Sequence, residues 1–361
     1  MENSFFKDIV KPQYNAVATL DLSREGKALI ISDLHMGVGR SDDLSENGEL
    51  LISLLEDYYF KRGWYLVLNG DIEELQRHSL ALVKGRWLRL YEIFDRFFQE
   101  GRLFKILGNH DEDLLFEKNY PYPLYNALRI ETGYIPAYVY HGHQSSKFYT
   151  DYKAILGAGI RYILKPFGIR NTVARNPYRR FFVEKKAYQF SLENNCISII
   201  GHTHRPLFES LGRFDYIKFE IERLCRDYPA AEGTGRERIA GEVAALQKEL
   251  GKLKRKERRN VLRQSLYGDE LPVPCLFNSG SAIGKKGINA IELDRNHIAL
   301  VYWFTEGRGK KFVSRGGYKV DKLPGAKHRR AVLNQDRMDY ITARIELLGA
   351  ASSRSHKTAK T

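Results

Sequence analysis

Five short apolar runs, each closing on a cluster of aspartate, asparagine or histidine beside glycine, constrain this chain more than any other feature. Lys27 to Asp33, Tyr65 to Asp71, Leu103 to Asn109, Ala137 to His141 and Ile197 to His202 read as buried strands, being short and apolar. The motifs at their ends are Asp33-Leu-His35, Gly70-Asp71, Gly108-Asn109-His110-Asp111, His141-Gly-His143 and Gly201-His202-Thr-His204. Six of the ten histidines fall inside them, so polar groups are expected to converge where the strands end.

Between the first two runs, Leu50, Leu51, Leu54, Leu55 and Tyr58 recur at helical spacing within Leu44 to Tyr59, and Leu80 to Phe98 carries a similar stripe. Strands alternating with helices make the fold class α/β. Glycines at 37, 70, 108, 142 and 201 allow sharp turns beside the candidate ligands and are expected to leave room for a substrate.

At 361 residues and 43% hydrophobic, the chain has enough apolar surface for one large core with additions. The core is expected over residues 1–208 and again over 274–305, where Pro274 to Ser281, Ala290 to Asp294 and Ile298 to Phe304 return to strand character. Between them, 209–273 reads as a charged helical insertion. Gly235 to Gln264 spaces Ile239, Val243, Leu246, Leu250 and Leu253 by three or four, and pairing with Tyr216 to Leu224 would make it a hairpin. A cap or dimerisation arm is the expectation here, ahead of a nucleic-acid arm. Residues 306–361 read as a basic extension with an unstructured end from Ala350 to Thr361.

The formal charge is +14, and Glu306 to Thr361 contributes +9 of it through 14 Lys and Arg against 5 Asp and Glu. The charge therefore sits mostly away from the motifs, which weakens a simple nucleic-acid reading. Cys196, Cys225 and Cys275 show no paired spacing, so neither a disulfide framework nor a thiolate metal site is expected, and a reducing cytoplasm fits. No apolar run approaches the length of a membrane span.

In an extended strand, residues two apart share a side, so Asp33 with His35, and His202 with His204, would each present two donors to one small volume. Imidazole, carboxylate and one amide oxygen suit divalent manganese, iron, zinc, cobalt or nickel, and thiolates that would favour a closed structural zinc are missing from the set.

Taken in order, the motifs resemble the calcineurin-like metallophosphoesterase superfamily, whose pattern D-x-H, GD, GNH[DE], H, GHxH is matched in full from about Lys27 to Pro206, with Asn278 to Ser281 resembling the family's late strand-end loop. The resemblance implies a four-layer αββα sandwich of two mixed β-sheets flanked by helices, with a dinuclear centre at one edge. It implies Asp33, His35 and His204 as ligands of one metal, Asn109, His141 and His202 as ligands of the other, and Asp71 as the bridging carboxylate. Two divalent ions, manganese foremost, would hold a bridging hydroxide for in-line attack at phosphorus. His110 would stay unligated and assist the leaving group, oriented by Asp111.

Ser32 to His35 and His141 to His143 look most like the branch containing bacterial UDP-2,3-diacylglucosamine pyrophosphatases. The chain departs from that branch at His110, where arginine is typical, at His143, where aspartate is typical, and in length. The implied partner is a phosphomonoester, phosphodiester or pyrophosphate, of small, nucleotide or lipid-linked kind. A nuclease or protein phosphatase with the same chemistry stands as the alternative, kept open by the basic, aromatic-interleaved stretch Tyr152 to Phe182 with Arg161, Lys165, Arg170, Arg175, Arg179 and Arg180. A scaffold with a vestigial metal site is the reading from another class, and the intact ligand set argues against it. Arg40, Arg77, His78 and Arg205 follow ligand motifs and are candidate phosphate clamps, and His143 is a candidate support for a ligand or for the substrate.

Overall fold

Alternation along the central strands decides the layering. Ala28 and Ile30 of β2 (Lys27–Ile31) and Val67 of β3 (Tyr65–Asn69) join one buried cluster, while Leu29, Ile31, Leu66 and Leu68 join another on the opposite face. A sheet apolar on both faces must be covered twice. The computed structural model describes residues 4–10, 17–39, 44–145, 177–208, 221–257 apart from 223, 273–283 apart from 274, 287–307, 318–322 and 327–358.

Numbered along the chain, eight strands form the larger sheet, in the order β13 (Lys319–Lys322), β14 (His328–Arg337), β12 (His297–Thr305), β11 (Ile288–Asp294), β2, β3, β4 (Leu103–Ile106) and β5 (Leu124–Tyr125). From β2 to β5 neighbouring strands run parallel, and from β11 to β13 they pair antiparallel. The smaller sheet runs β1 (Val17–Asp21), β6 (Ala127–Glu131), β7 (Ala137–Val139), β8 (Ile197–Ile200), β10 (Leu276–Asn278) and β9 (Leu207–Phe208), again mixed.

Between the sheets, Ile30, Val67, Ile106 and Ile291 meet Leu128, Val139, Ile199 and Phe277 in one apolar cluster. The outer face of the larger sheet is covered by helices that include α2 (Gly48–Ser53) and α4 (Leu88–Gln99), which turns Leu90, Tyr91, Ile93, Phe94 and Phe97 inward. On the other side α5 (Pro177–Asn194) packs against β8 and β10, and α7 (Met338–Thr358) packs against α5. The remaining helices are α1 (Ser4–Ile9), α3 (Leu80–Arg86) and α6 (Thr234–Glu257). The result is two mixed sheets flanked by helices, as the sequence leads one to expect. No helix among the described residues is long and apolar enough to cross a membrane.

The charged helix expected over 235–264 is α6. Of the hairpin partner expected over 216–224, residues 216–220 and 223 lie outside the described residues, as do Arg40, Arg161, Lys165, Arg170 and Arg175. The C-terminal region departs from expectation. The larger sheet continues past Thr305, because β14 pairs with β12 from His297↔Arg337 to Thr305↔His328. Its basic side chains are answered locally: Arg330 pairs with Glu292 and Asp321, and Arg329 with Glu306. Met338, Ile341 and Ile345 of α7 are buried in the main cluster, and this helix extends to Thr358, through most of the tail expected to be unstructured.

Candidate metal centre

Each motif sits at the C-terminal end of a strand. β2, β3 and β4 deliver Asp33, Asp71 and Asn109 from the larger sheet, and Tyr140 and Gly201 carry β7 and β8 on to His141 and His202 from the smaller one. The edge shared by both sheets thereby collects the whole set.

The strand pleat expected to pair the ligands is not how they meet. Asp33, His35, Asp71, His202 and His204 have φ of +54°, +46°, +53°, +63° and +54°, and with Asn195 they are the described non-glycine residues in the left-handed region. Each such conformation costs on the order of 1–3 kcal/mol and persists where surroundings impose it. Nor do His202 and His204 serve one volume: His204 groups with Asp33 and His35, whereas His202 groups with His141 and Asp71.

In the first group, His204 Nε2 lies 3.0 Å from Asp33 Oδ1 and 3.2 Å from His35 Nε2. In the second, His141 Nε2 lies 3.1 Å from Asp71 Oδ2, and the His141 and His202 rings are 5.1 Å apart. Asp71 Oδ2 stands between them, 3.9 Å from His35 Nε2 and 4.0 Å from His110 Nε2. Glycines permit this crowding. A Cβ on Gly108 would sit 2.2 Å from both the Asp71 amide nitrogen and Asp71 Oδ1, and one on Gly70 would sit 2.5 Å from His141 Nδ1. At these positions glycine makes room for the ligand side chains themselves, not for a substrate.

The hydrogen bonds around the set fix which atoms face inward. His141 Nδ1 donates to the Asn69 carbonyl at 2.8 Å, and His35 Nδ1 donates to Glu74 at 3.1 Å, which turns Nε2 toward the centre in both rings. Asp33 accepts from Ser32 Oγ and the His202 amide through Oδ2 alone, and Asp71 accepts from the His110 amide through Oδ1 alone. Asp33 Oδ1, Asp71 Oδ2, Asn109 Oδ1, His141 Nε2 and His202 Nδ1 are buried without a hydrogen bond. A buried polar atom left unpaired costs about 1–3 kcal/mol; Asp33, Asp71, His141 and His202 fall in the close groups of potential ligands, and acceptors of this chemistry fit divalent cations.

Electrostatics point the same way. Burial opposes ionisation of Asp71, but His141, His110 and His35 outweigh it and hold the carboxyl well below the usual range. Against its own burial, His141 is raised to about 9 by Asp71 and Asp33, so the two carboxylates draw positive charge to this point. Burial, reinforced by His141, depresses His202 well below the ordinary imidazole value.

His110 presents a buried Nε2 to the centre, and its Nδ1 donates to Glu74 at 2.9 Å. The expectation that Asp111 orients His110 is therefore corrected. Asp111 instead accepts from the Gly108 amide at 2.6 Å, the Ile72 amide at 2.9 Å and Lys105 Nζ at 2.5 Å, and so braces the loop. The role falls to Glu74, which touches both His35 and His110 and whose carboxyl those bonds draw down to about 2 against burial. His143 Nε2 is 3.2 Å from Glu112 Oε1, beside the His141 ring. Arg205 is bound to Glu184, Arg77 is exposed, and the amides of Arg77 and His78 bond the Glu74 carbonyl. Asn278 to Ser281 supports the first motif, through Ser279 Oγ and the Gly280 carbonyl on Ser32 Oγ.

Sequence reasoning passed over Glu74, Lys105 and Glu184. Glu74 carried a signal, the second of two adjacent glutamates just past Asp71, whereas Lys105 lay inside an apolar run and Glu184 inside a basic helix.

A solved structure of YfcE, a phosphoesterase from E. coli, is similar at 14% identity over 76% of this chain and 91% of that one, with a TM-score of 0.33. No curated protein matches. Residues 26–230, more than half of the chain and all five motifs, match the calcineurin-like phosphoesterase family, and the chain belongs to it.

Proposed function

We propose that this protein hydrolyses phosphoesters at a dinuclear metal centre. Asp33, His35 and His204 would hold one divalent ion, Asn109, His141 and His202 the other, and Asp71 both, with manganese the ion of choice among manganese, iron, zinc, cobalt and nickel. The observation that carries the reading is the set of buried acceptors at these strand ends that no protein donor satisfies, Asp33 Oδ1, Asp71 Oδ2, Asn109 Oδ1 and His141 Nε2 foremost, three of them in close groups of potential ligands. Two ions held there would polarise the phosphoryl group, lower the pKa of the attacking water and offset charge in the transition state.

The chain's own residues set the geometry of the reaction. Glu74 fixes the His110 ring through Nδ1, so Nε2 is aimed at the centre and holds the proton that passes to the leaving oxygen as its bond to phosphorus breaks. Burial alone would keep His110 neutral, but Asp71 and Glu74 raise its affinity for that proton. The same Glu74 sets the tautomer of His35, tying a candidate ligand to the candidate acid. The substrate class proposed is a small or nucleotide-type phosphoester, and three cysteines that form no disulfide suit a reducing cytoplasm.

The test is hydrolysis of bis-p-nitrophenyl phosphate and p-nitrophenyl phosphate by metal-stripped protein, with and without Mn²⁺. Turnover that needs the metal and vanishes in Asp71→Ala is the expected result; turnover unchanged by stripping would overturn the reading. Salt separates substrate classes, since action on a nucleic acid falls steeply with ionic strength and action on a small ester does not.

A further inference from the structure

The loop from Gly201 to Arg205 alternates the direction of its side chains. His202 and His204 turn into the metal centre, one to each ligand group. Thr203 and Arg205 turn away and meet a single carboxylate, Glu184 of α5. Thr203 Oγ1 donates to Glu184 Oε1 at 3.0 Å, Arg205 Nε donates to the same oxygen at 3.1 Å, and Arg205 Nη2 pairs with Oε2. Glu184 is 2% exposed, and a carboxylate buried to that degree is kept only where it is fully bonded.

The loop needs such a hold. His202 and His204 both sit in the left-handed region, a conformation that surroundings must impose on residues with a Cβ. From one side Asn278 Nδ2 donates to the Gly201 carbonyl and to Thr203 Oγ1, both at 3.0 Å. From the other side α5 supplies Glu184. The hydroxyl of Thr203 is thus pinned between a strand end and a helix, and the two histidines flanking it are set by that pin.

We propose that Glu184 is a positioning residue for the metal centre, acting through Thr203 and Arg205 to hold His202 and His204 in the spacing two ions require. The inference rests on the metal-dependent reading above. It assigns α5 a part in the site although none of its side chains belongs to the ligand set.

Mn²⁺ binding to metal-stripped protein, followed by the electron paramagnetic resonance signal of the free ion, tests it in the wild type, Glu184→Ala and Glu184→Gln. Loss of a group that orients ligands typically weakens metal affinity about 10–100-fold, and that is the result expected of Glu184→Ala. Glu184→Gln keeps an acceptor for Thr203 and gives up the charge facing Arg205, so it falls between the two. At saturating Mn²⁺, p-nitrophenyl phosphate hydrolysis returns toward the wild-type kcat, because the defect lies in ligand spacing. Wild-type Mn²⁺ affinity in Glu184→Ala with only a lowered Tm would overturn the proposal, and if that variant does not fold, wild-type affinity in Glu184→Gln does the same. A wild type that binds no Mn²⁺ would instead overturn the metal-dependent reading, and the proposal with it.

Discussion

Two pairs of buried carboxylates lie in the loops that follow β2, β3 and β4, and they are neutralised in opposite ways. Glu73 and Asp111 share Lys105 Nζ, at 2.8 and 2.5 Å, and all three side chains are buried. Their other bonds come from Tyr91 and Tyr120 hydroxyls at 3.0 and 2.9 Å and from the Ile72 and Gly108 amides, so each of the four oxygens has a partner. Asp33 and Asp71 each have one oxygen bonded and one bare. No lysine or arginine reaches the bare oxygens among the ion pairs of the described residues; only imidazoles do. Where the loops need bracing the chain supplies a covalently attached cation. At the proposed metal centre it leaves acceptors that an exchangeable cation would satisfy, and Gly108 to Asp111 serves both clusters, through the His110 amide on Asp71 and through Asp111 on Lys105.

The comparison breaks most decisively at Asp71. Asp71→Ala removes the atom common to both ligand groups, and hydrolysis should fall to the level of metal-stripped protein; activity retained at high Mn²⁺ would show that the bare oxygens are not a cation site. His110→Ala should lower kcat by about 10²–10⁴-fold, the usual worth of a positioned general acid, while Mn²⁺ binding stays near wild type, because His110 stands outside the proposed ligand set. A loss of metal affinity as large as the loss of rate would make His110 a ligand instead, an outcome that its grouping with His35 and Asp71 makes worth measuring.

Lys105→Met probes the other pair. Removing one partner of a buried ionic cluster leaves uncompensated charge and costs about 3–5 kcal/mol, which denaturant unfolding of metal-free protein reads directly. A loss under about 1 kcal/mol would mean that Glu73 and Asp111 do not depend on the lysine, and the contrast between the clusters would fall. Replacing Glu73 by Gln together with Lys105→Met should recover part of the loss, since it removes a charge that the lysine was balancing.

That difference also explains what the sequence disclosed. The exchangeable site is legible because acceptor side chains must follow strand ends and glycine must stand where ligands crowd, as at Gly70 and Gly108, so the requirement is local and repeats five times. The layers were legible for a related reason: 28–31 and 65–68 are apolar at every position, and a strand buried on both faces reads that way. Lys105, Glu184 and β14 were hidden because what satisfies them comes from other elements of the fold, as Glu73 comes to Lys105 from the loop after β3. Lys105 sits in an apolar run, and only the fold brings Glu73 and Asp111 to it. The Glu184 partners arrive from the loop after β8, some twenty positions on. His328 to Arg337 shows no apolar alternation, and it becomes a strand because β12 offers it an open edge and Glu292 and Asp321 answer Arg330. The ligand spacing likewise could not be read from the strand period, since left-handed turns rather than pleats aim Asp33, His35, His202 and His204.

The finest test of the contrast is its response to acid. Lys105 is held above its ordinary value by Asp111 and Glu73 against full burial. A raised lysine contributes all of its stability below the unfolded value of about 10.4, so the gap in unfolding free energy between wild type and Lys105→Met should not change between pH 6 and 9. A metal centre behaves otherwise, because its histidines must shed protons to bind and protons compete for the same lone pairs. Saturating Mn²⁺ at about 100 times its Kd stabilises a folded protein by about 2.7 kcal/mol, and each proton displaced lowers the apparent affinity up to about tenfold per pH unit. At a fixed Mn²⁺ concentration the rise in Tm should therefore be largest near pH 9 and shrink steadily toward pH 6, while in Asp71→Ala it should be small throughout. A rise that held constant with pH would place the bound ion away from His141.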